Sequence, residues 1–437
     1  MVIYVEKSIW EDYTNLNKFN KLQNNIKTNV LVIGAGISGI LCGYELKKRG
    51  IDYVIVEQNR VASGITKNTT AFITAQHEML YQDLIKDLGY SKAKEYLDLN
   101  LNAVEKYKEL GKIYDIDLEI VPSCLFTTSN FDKIIKEKEA LHSLGYSADI
   151  INKLPNDLVN KPVKGILFNN QAVINPLKLI KSLSNELTIY EDTKIYKLTK
   201  NKAYTKEYTI SFNYVIVATH FPFINRNGLY FMKMKQRRSY VGCIPFKNIK
   251  GTYCSIDEDG MYFRSYKDYL LIGGNDRDTN HICKNKFKEQ LESYFKTKNI
   301  KYYYSNQDCT TIDNIPYIGR YDLYHDNWYV VTGFNLWGFT WAMVASNIIV
   351  DMILGRDANF LVDPNRNFIK KQLFKNIFNS TKNLISFKTP RCSHLGCKLN
   401  FNKIEKTWEC PCHGSRYDGD GTLINGPSQK DIKITCK

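Results

Sequence analysis

Histidine is scarce in this chain, with seven among 437 residues. His394 and His413 lie close together near the C-terminus; His77, His142, His220, His281 and His325 are scattered. The scattered five supply no clustered motif of two histidines and a carboxylate, which argues against a mononuclear iron site. A secretory signal is missing as well. The first residues, MVIYVEKSIWEDYTN, carry acids early and show no basic stretch followed by an apolar one, so a cytoplasmic location is expected. Long blocks of like charge are also absent. The formal net charge is +15, but the lysines and arginines are dispersed among Asn, Tyr and Ile. That pattern reads as a solvated surface, able to steer an acidic partner or an anionic substrate, and not as a nucleic-acid site. One stretch lacks charge altogether, WYVVTGFNLWGFTWAMVASNIIV from Trp328 to Val350. It is long enough to cross a bilayer. Gly333, Asn335, Gly338, Ser346 and Asn347 within it favour a buried strand, a glycine loop and a core helix, and no transmembrane segment is expected.

The length suits two or three domains with a sizeable core. Seven of the eleven cysteines stand singly (Cys42, Cys124, Cys243, Cys254, Cys283, Cys309 and Cys436), as reduced thiols in a cytosolic protein do. The other four crowd into the C-terminal segment with the two histidines.

Near the N-terminus, the apolar run Val30 to Ile33 reads as a buried parallel strand. Gly34-x-Gly36-x-x-Gly39 follows, then a helical stretch ending at Lys47-Lys48-Arg49-Gly50, then a second strand ending in Glu57. The glycines permit a tight turn and let backbone N–H groups approach a pyrophosphate at the helix N-terminus, while Glu57 can accept from ribose hydroxyls. Strand, turn, helix, strand and acid in this order point to dinucleotide binding, with Ile37, Ser38 and Gln58 beside the key positions. The following NRVASGITKNTTAFITAQH is too rich in Ser, Thr and Gly to continue a strand or helix and suits a long cofactor crossing the sheet edge.

In these features the chain resembles the FAD-dependent amine and amino acid oxidase superfamily, which includes glycine oxidase and D-amino acid oxidase. SGITKNTTA is similar to its flavin-contacting loop, with Gly64, Thr66, Thr70 and Ala71 as contacts, and YEDTKI to its adenine-side strand, with Ile195 in contact. NYVIVATH resembles its second cofactor-domain strand, bringing Ala218 and Thr219. DNIPYIGR with VVTGFNLWGFT resembles its closing segment beside the isoalloxazine, bringing Gly333, Trp337, Gly338, Phe339 and Thr340. The resemblance implies an α/β fold: a Rossmann-like FAD-binding domain (about 28–80, 160–222 and 310–357) interleaved with an antiparallel-sheet substrate subdomain (about 81–159 and 223–309). Residues 1–27 remain as an N-terminal extension. Members that oxidise amino acids usually carry an arginine eight residues before the proline of P-x-I-G. Counting back from Pro316 reaches Asp308, which repels a carboxylate and attracts an amine. His77, Tyr262 and Arg264 are the further candidates for substrate contact.

The C-terminal motif reads Cys392-x-His394, fifteen intervening residues, then Cys410-x-x-His413, with Cys397 and Cys412 interspersed. Two thiolates can hold one iron of a [2Fe–2S] cluster and two imidazoles the other; a structural zinc ion can use the same residue types. The wrappers HLGC and CHGS, and the continuation RYDGDGTLINGPSQKDIKI, resemble Rieske proteins. That resemblance implies cluster ligation by Cys392, His394, Cys410 and His413, a Cys397–Cys412 disulfide, and a small all-β module over 389–437. Only about a dozen residues separate the helix-like FIKKQLFKNIFNS from Cys392, so the module looks truncated, and the flavin domain is expected to supply packing surface. Residues 358–388 are expected to be a basic linker or helix, its lysines interleaved with phenylalanines: a packed interdomain linker with solvated lysines, or a face that can rest on anionic lipid or dock an acidic carrier.

Joined, the halves imply a dehydrogenase: an amine-type small molecule reduces FAD, and electrons pass through the Rieske cluster to an external carrier. The alternative is an oxygen-using flavin oxidase whose tail is a redox sensor or a structural zinc or empty module.

Overall fold

A computed structural model describes residues 7–159, 161–224, 227–279, 287–366, 390–403 and 405–434. Two sheets carry the body and a third the C-terminal module. In the first, Ile26–Ile33 lies centrally between Tyr53–Val56 and Thr209–Val217, parallel to both. The order across the main path is 317–320, 328–332, 209–217, 26–33, 53–56 and 189–190. Val30, Leu31, Val32 and Ile33 are all buried, as befits a parallel strand covered on both faces. One face is covered by the helices Ile37–Lys48 and Gly338–Ile353, which pack on each other. The charge-free stretch thus resolves into the strand Trp328–Thr332, a loop with Gly333 at positive φ, and the helix Gly338–Ile353. Among the described residues, no helix is long and apolar enough to cross a membrane.

The second sheet runs 302–311, 234–245, 269–278, 262–266, 252–255, 119–127, 164–173 and 72–73. It departs from the sequence expectation in two ways. Thr252–Ser255 pairs parallel to Glu119–Thr127, so the sheet is mixed and not purely antiparallel. Lys164–Val173 and Phe72–Ile73, placed in the FAD-binding half on sequence, belong to this sheet. Local pattern cannot tell which sheet an apolar strand will join; pairing with strands 37 to 101 residues away decides it.

The N-terminal extension is built into the body. Ile26 already lies in the first strand. Trp10 is fully buried and its indole N–H donates to Thr69 O at 2.8 Å.

The module's sheet orders 400–402, 407–409, 416–417 and 423–425, all antiparallel. Its buried apolar cluster is Cys392, Cys397, Leu399, Cys410 and Tyr417. Packing surface for the module comes from the body, on the strands Met234–Pro245 and Tyr302–Thr311. Most of the basic linker, residues 367–389, lies outside the described residues.

Candidate active site and metal centre

The glycine fingerprint forms a turn with almost no clearance. A Cβ on Gly34 would come within 2.5 Å of Ala218 O, and one on Gly39 within 1.8 Å of Gly34 O. Gly34 also sits at φ +107°, so the turn admits only glycine there. The helix that follows has no side-chain cap, leaving N-terminal amides for a phosphate. Thr66 Oγ1 accepts from Ile37 N at 3.0 Å, which pins the Ser/Thr-rich loop to the helix start. Glu57 Oε2 accepts from Ala35 N at 2.9 Å and Oε1 from Asn59 N at 3.0 Å, while burial pushes its carboxyl above the usual range. Gly36 faces open space apart from Thr66. This cradle fits an ADP moiety. Ile195 is buried in the core on the strand's other side, packed with Leu31 and Val54.

A cavity of about 840 Å³ lies between this half and the second sheet. Thr70, Trp337, Gly338 and Phe339 contribute from the flavin-side segments, and Tyr262 and Asp308 from the sheet, so six expected residues meet there. The sequence reading missed Arg237, Asp276 and Glu78 on the same walls. Arg237 is the cross-strand partner of Asp308 and pairs with Asp276 at 3.1 Å. Asp308 is half-buried on the wall; burial and the neighbouring Asp276 carboxylate push it up to about 7 against the pull of Arg237. Burial raises Asp276 to about 6, and raises Glu78. At the mouth, Lys235–Asp278 (2.9 Å) and Arg277–Asp259 (2.7 Å) pair off. The inner wall keeps more acid than base, and Asp276 Oδ1 and Asn306 Oδ1 have no hydrogen-bond partner.

Two expected substrate contacts are corrected. His77 does not line the cavity: it is buried behind Trp337, stacked on it at 4.9 Å, and bonded to Tyr96 Oη, Thr74 O and Thr340 Oγ1. Burial depresses its value to about 3, so it stays neutral and orients the tryptophan and Thr340. Arg264 is also withdrawn from the cavity. Its guanidinium donates to Thr70 O (2.6 Å), Ala71 O (3.1 Å) and Ile174 O (3.1 Å) and lies over Trp10. Nη1 makes all three of these bonds and so holds the flavin-loop carbonyls, while the buried Nη2 has no partner.

At the other end, the two cysteine–histidine loops converge. The thiols of Cys397, Cys410 and Cys412 lie within 4.8 Å of one another, and Cys392 hydrogen-bonds Cys410. The His394 and His413 rings are 5.1 Å apart. His413 is buried, its Nδ1 has no partner, and its other ring nitrogen donates to the Phe231 backbone carbonyl. A buried imidazole nitrogen left without a partner, on the loop that also carries two of the clustered thiols, fits a metal cluster, with the second nitrogen anchored as ligand histidines commonly are. Cys397 and Cys412, which the resemblance pairs as a disulfide, are neighbouring free thiols.

The module sits on the back of the cavity wall. Gln236 Nε2 donates to His413 O (2.9 Å) and Gly426 O (3.0 Å), and Gln307 Nε2 to Gly414 O (2.7 Å). Arg238 pairs with Glu405 (3.0 Å) and Glu409 (2.6 Å), all three buried. Only the run QRRS inside an otherwise apolar strand hinted at this interface.

The FAD dependent oxidoreductase family profile matches residues 29–352. The chain belongs to this family. The Rieske [2Fe-2S] domain profile matches residues 369–435. The chain is 31% identical to YhfW of Bacillus subtilis (strain 168), whose name includes the words Rieske 2Fe-2S iron-sulfur protein, over 98% of this chain and 97% of the relative. The loop region alone is 44% identical over 43 residues to the cytochrome b6-f complex iron-sulfur subunit 2 of Trichormus variabilis (strain ATCC 29413 / PCC 7937), covering 10% of this chain and 24% of that one. Among solved structures, glycine oxidase from Geobacillus kaustophilus superposes with a TM-score of 0.67 at 15% identity, covering 78% of this chain and all of that one. L-Proline dehydrogenase from P. horikoshii gives 0.66 at 17%, covering 78% and 98%. The protein is therefore an FAD-dependent oxidoreductase with an iron–sulfur centre, and its cofactors are FAD and a Rieske [2Fe–2S] cluster.

Proposed function

We propose that the protein is a dehydrogenase that oxidises a small amine-type substrate in the 840 Å³ cavity and exports the electrons one at a time, through the cysteine–histidine centre, to an external one-electron carrier. The observation that carries this reading is the wall itself. Cavity and cysteine–histidine loops occupy opposite faces of one sheet, whose neighbouring residues face the two compartments in turn. FAD, when bound, supplies the two-electron acceptor, and the cluster a one-electron outlet.

The chain's own residues bind and orient. Asp308 and Asp276, with free acceptor capacity at Asp276 Oδ1, favour a cationic nitrogen. Arg237, engaged by Asp276, balances part of that charge and keeps the two carboxyls from repelling each other apart. Trp337, backed by neutral His77, closes the side toward the helix N-terminus. Localisation in the cytoplasm and ligation by Cys392, His394, Cys410 and His413 belong to the same reading, as does a Cys397–Cys412 bond under oxidising conditions.

Purification without air, followed by iron and flavin analysis and an anaerobic screen of primary and secondary amines, tests it. Flavin, about two irons per chain, a Rieske-type paramagnetic signal after dithionite, and flavin bleaching by an amine are expected. Fast bleaching by glycine or simple D-amino acids would overturn the substrate reading. Flavin with zinc or no iron would overturn electron export and leave an oxygen-using oxidase with a structural tail.

A further inference from the structure

We infer that Gln236 and Gln307 are positioning residues that fix the His413 loop to the back of the cavity wall, making the paired strands Met234–Pro245 and Tyr302–Thr311 a standing electron connection that needs no movement of the C-terminal module. The inference rests on the export reading above and adds the residues and the immobility.

Alternation along the two strands carries the argument, because successive side chains of a strand point to opposite faces. Lys235, Arg237 and Ser239 line the cavity, whereas Gln236, Arg238 and Tyr240 face the module. On the partner strand, Asn306 and Asp308 line the cavity and Gln307 faces the module. A single peptide unit therefore separates Arg237 and Asp308 from the amides that grip the cluster loop.

The grip is specific. Both glutamines are buried. Gln307 Oε1 accepts from Arg238 Nη2 at 2.8 Å, which turns its Nε2 toward Gly414 O and toward Gln236 Oε1. Gln236 is thereby oriented with its own Nε2 on His413 O and Gly426 O. A side chain at position 414 would crowd this pair. Gly414 has φ +81°, and a Cβ there would lie 3.0 Å from Gln236 Cβ and 3.1 Å from Gln307 Nε2. Phe231 adds a second hold, its ring edge-on to His394 at 6.1 Å and to His413 at 5.9 Å. The Gln307 backbone carbonyl accepts from His220 Nε2 at 2.8 Å, two residues beyond the Ala218 backbone that packs on Gly34. The same strand thus touches the cluster loop and the segment that packs on the nucleotide turn. With both groups bound, each of two events would carry one electron from the reduced flavin to the cluster, the flavin's protons would leave to solvent as it is oxidised, and the one-electron carrier would reoxidise the cluster between events.

The test uses the full-length protein carrying FAD and iron, with electrons introduced at the flavin by light and EDTA. Gln236→Met, Gln307→Met and the double variant are compared with the parent. Expected are unchanged flavin photoreduction, cluster reduction slowed roughly 10- to 100-fold as for other lost ligand-supporting contacts, and shifted g-values of the dithionite-reduced cluster. A double variant with full iron, parental g-values and parental transfer would overturn the inference. If the double variant loses iron, the singles decide by the same criteria. A parent that holds both groups but shows no flavin-to-cluster transfer refutes export itself, while shifted g-values in the variants would still uphold the positioning role.

Discussion

The body and the C-terminal module hold redox groups by opposite means. The body closes its nucleotide turn with three extensive apolar clusters and glycines packed backbone to backbone. Among its described residues the module has five buried apolar side chains, three of them cysteines. A core that small does not stabilise a chain of this size without metal or a partner surface. The difference teaches that the body is preformed for its cofactor, whereas the module is completed by its cluster and by the wall it sits on.

The sharpest way to break this comparison is Cys410→Ser. It should abolish iron binding and expose the module to limited proteolysis, with flavin content unchanged; iron at the parental level would refute the assigned ligand. A smaller effect is expected from Arg238→Met. Removing the buried guanidinium takes from Glu405 and Glu409 one of their two cationic partners and leaves Arg416, at about 3 kcal/mol, the lower end for a broken buried pair. Urea titration should show the module released before the body, and adding Glu405→Gln and Glu409→Gln should recover part of the loss; a single unchanged transition would mean that the interface contributes nothing. The mildest is a pH effect. Asp308, raised to about 7 in the fold from 3.8, retains its proton there. Its contribution to stability is complete below pH 3.8 and is lost as pH climbs through 7, so the melting temperature of the substrate-free protein should fall across that window. Amine affinity should rise over the upper part of the same window as the carboxylate forms. Asp308→Asn should flatten both trends, and unchanged slopes would place Asp308 outside the binding wall.

Local pattern made much of this legible. Gly34, Gly36, Gly39 and Glu57 announced the nucleotide turn because the residues that shape it from within lie in one short stretch of sequence. The two cysteine–histidine loops were equally plain, being short and self-contained. His77 and Arg264 misled, because whether a polar side chain faces a cavity or the packing behind it depends on segments far away in sequence. Arg237 was invisible for a related reason: it reaches the position opposite Asp308 from another strand, and only the register of that pairing brings them together.

Arg264 carries a consequence for the order of synthesis. It binds the carbonyls of Thr70 and Ala71 across 194 and 193 residues of chain. The flavin loop therefore leaves the ribosome long before the residue that fixes it. At roughly 5–20 residues per second the wait is about 10 to 40 s. The nascent chain carries an unfastened flavin loop for that time, and tight capture of the flavin is an event of late translation or of the released chain.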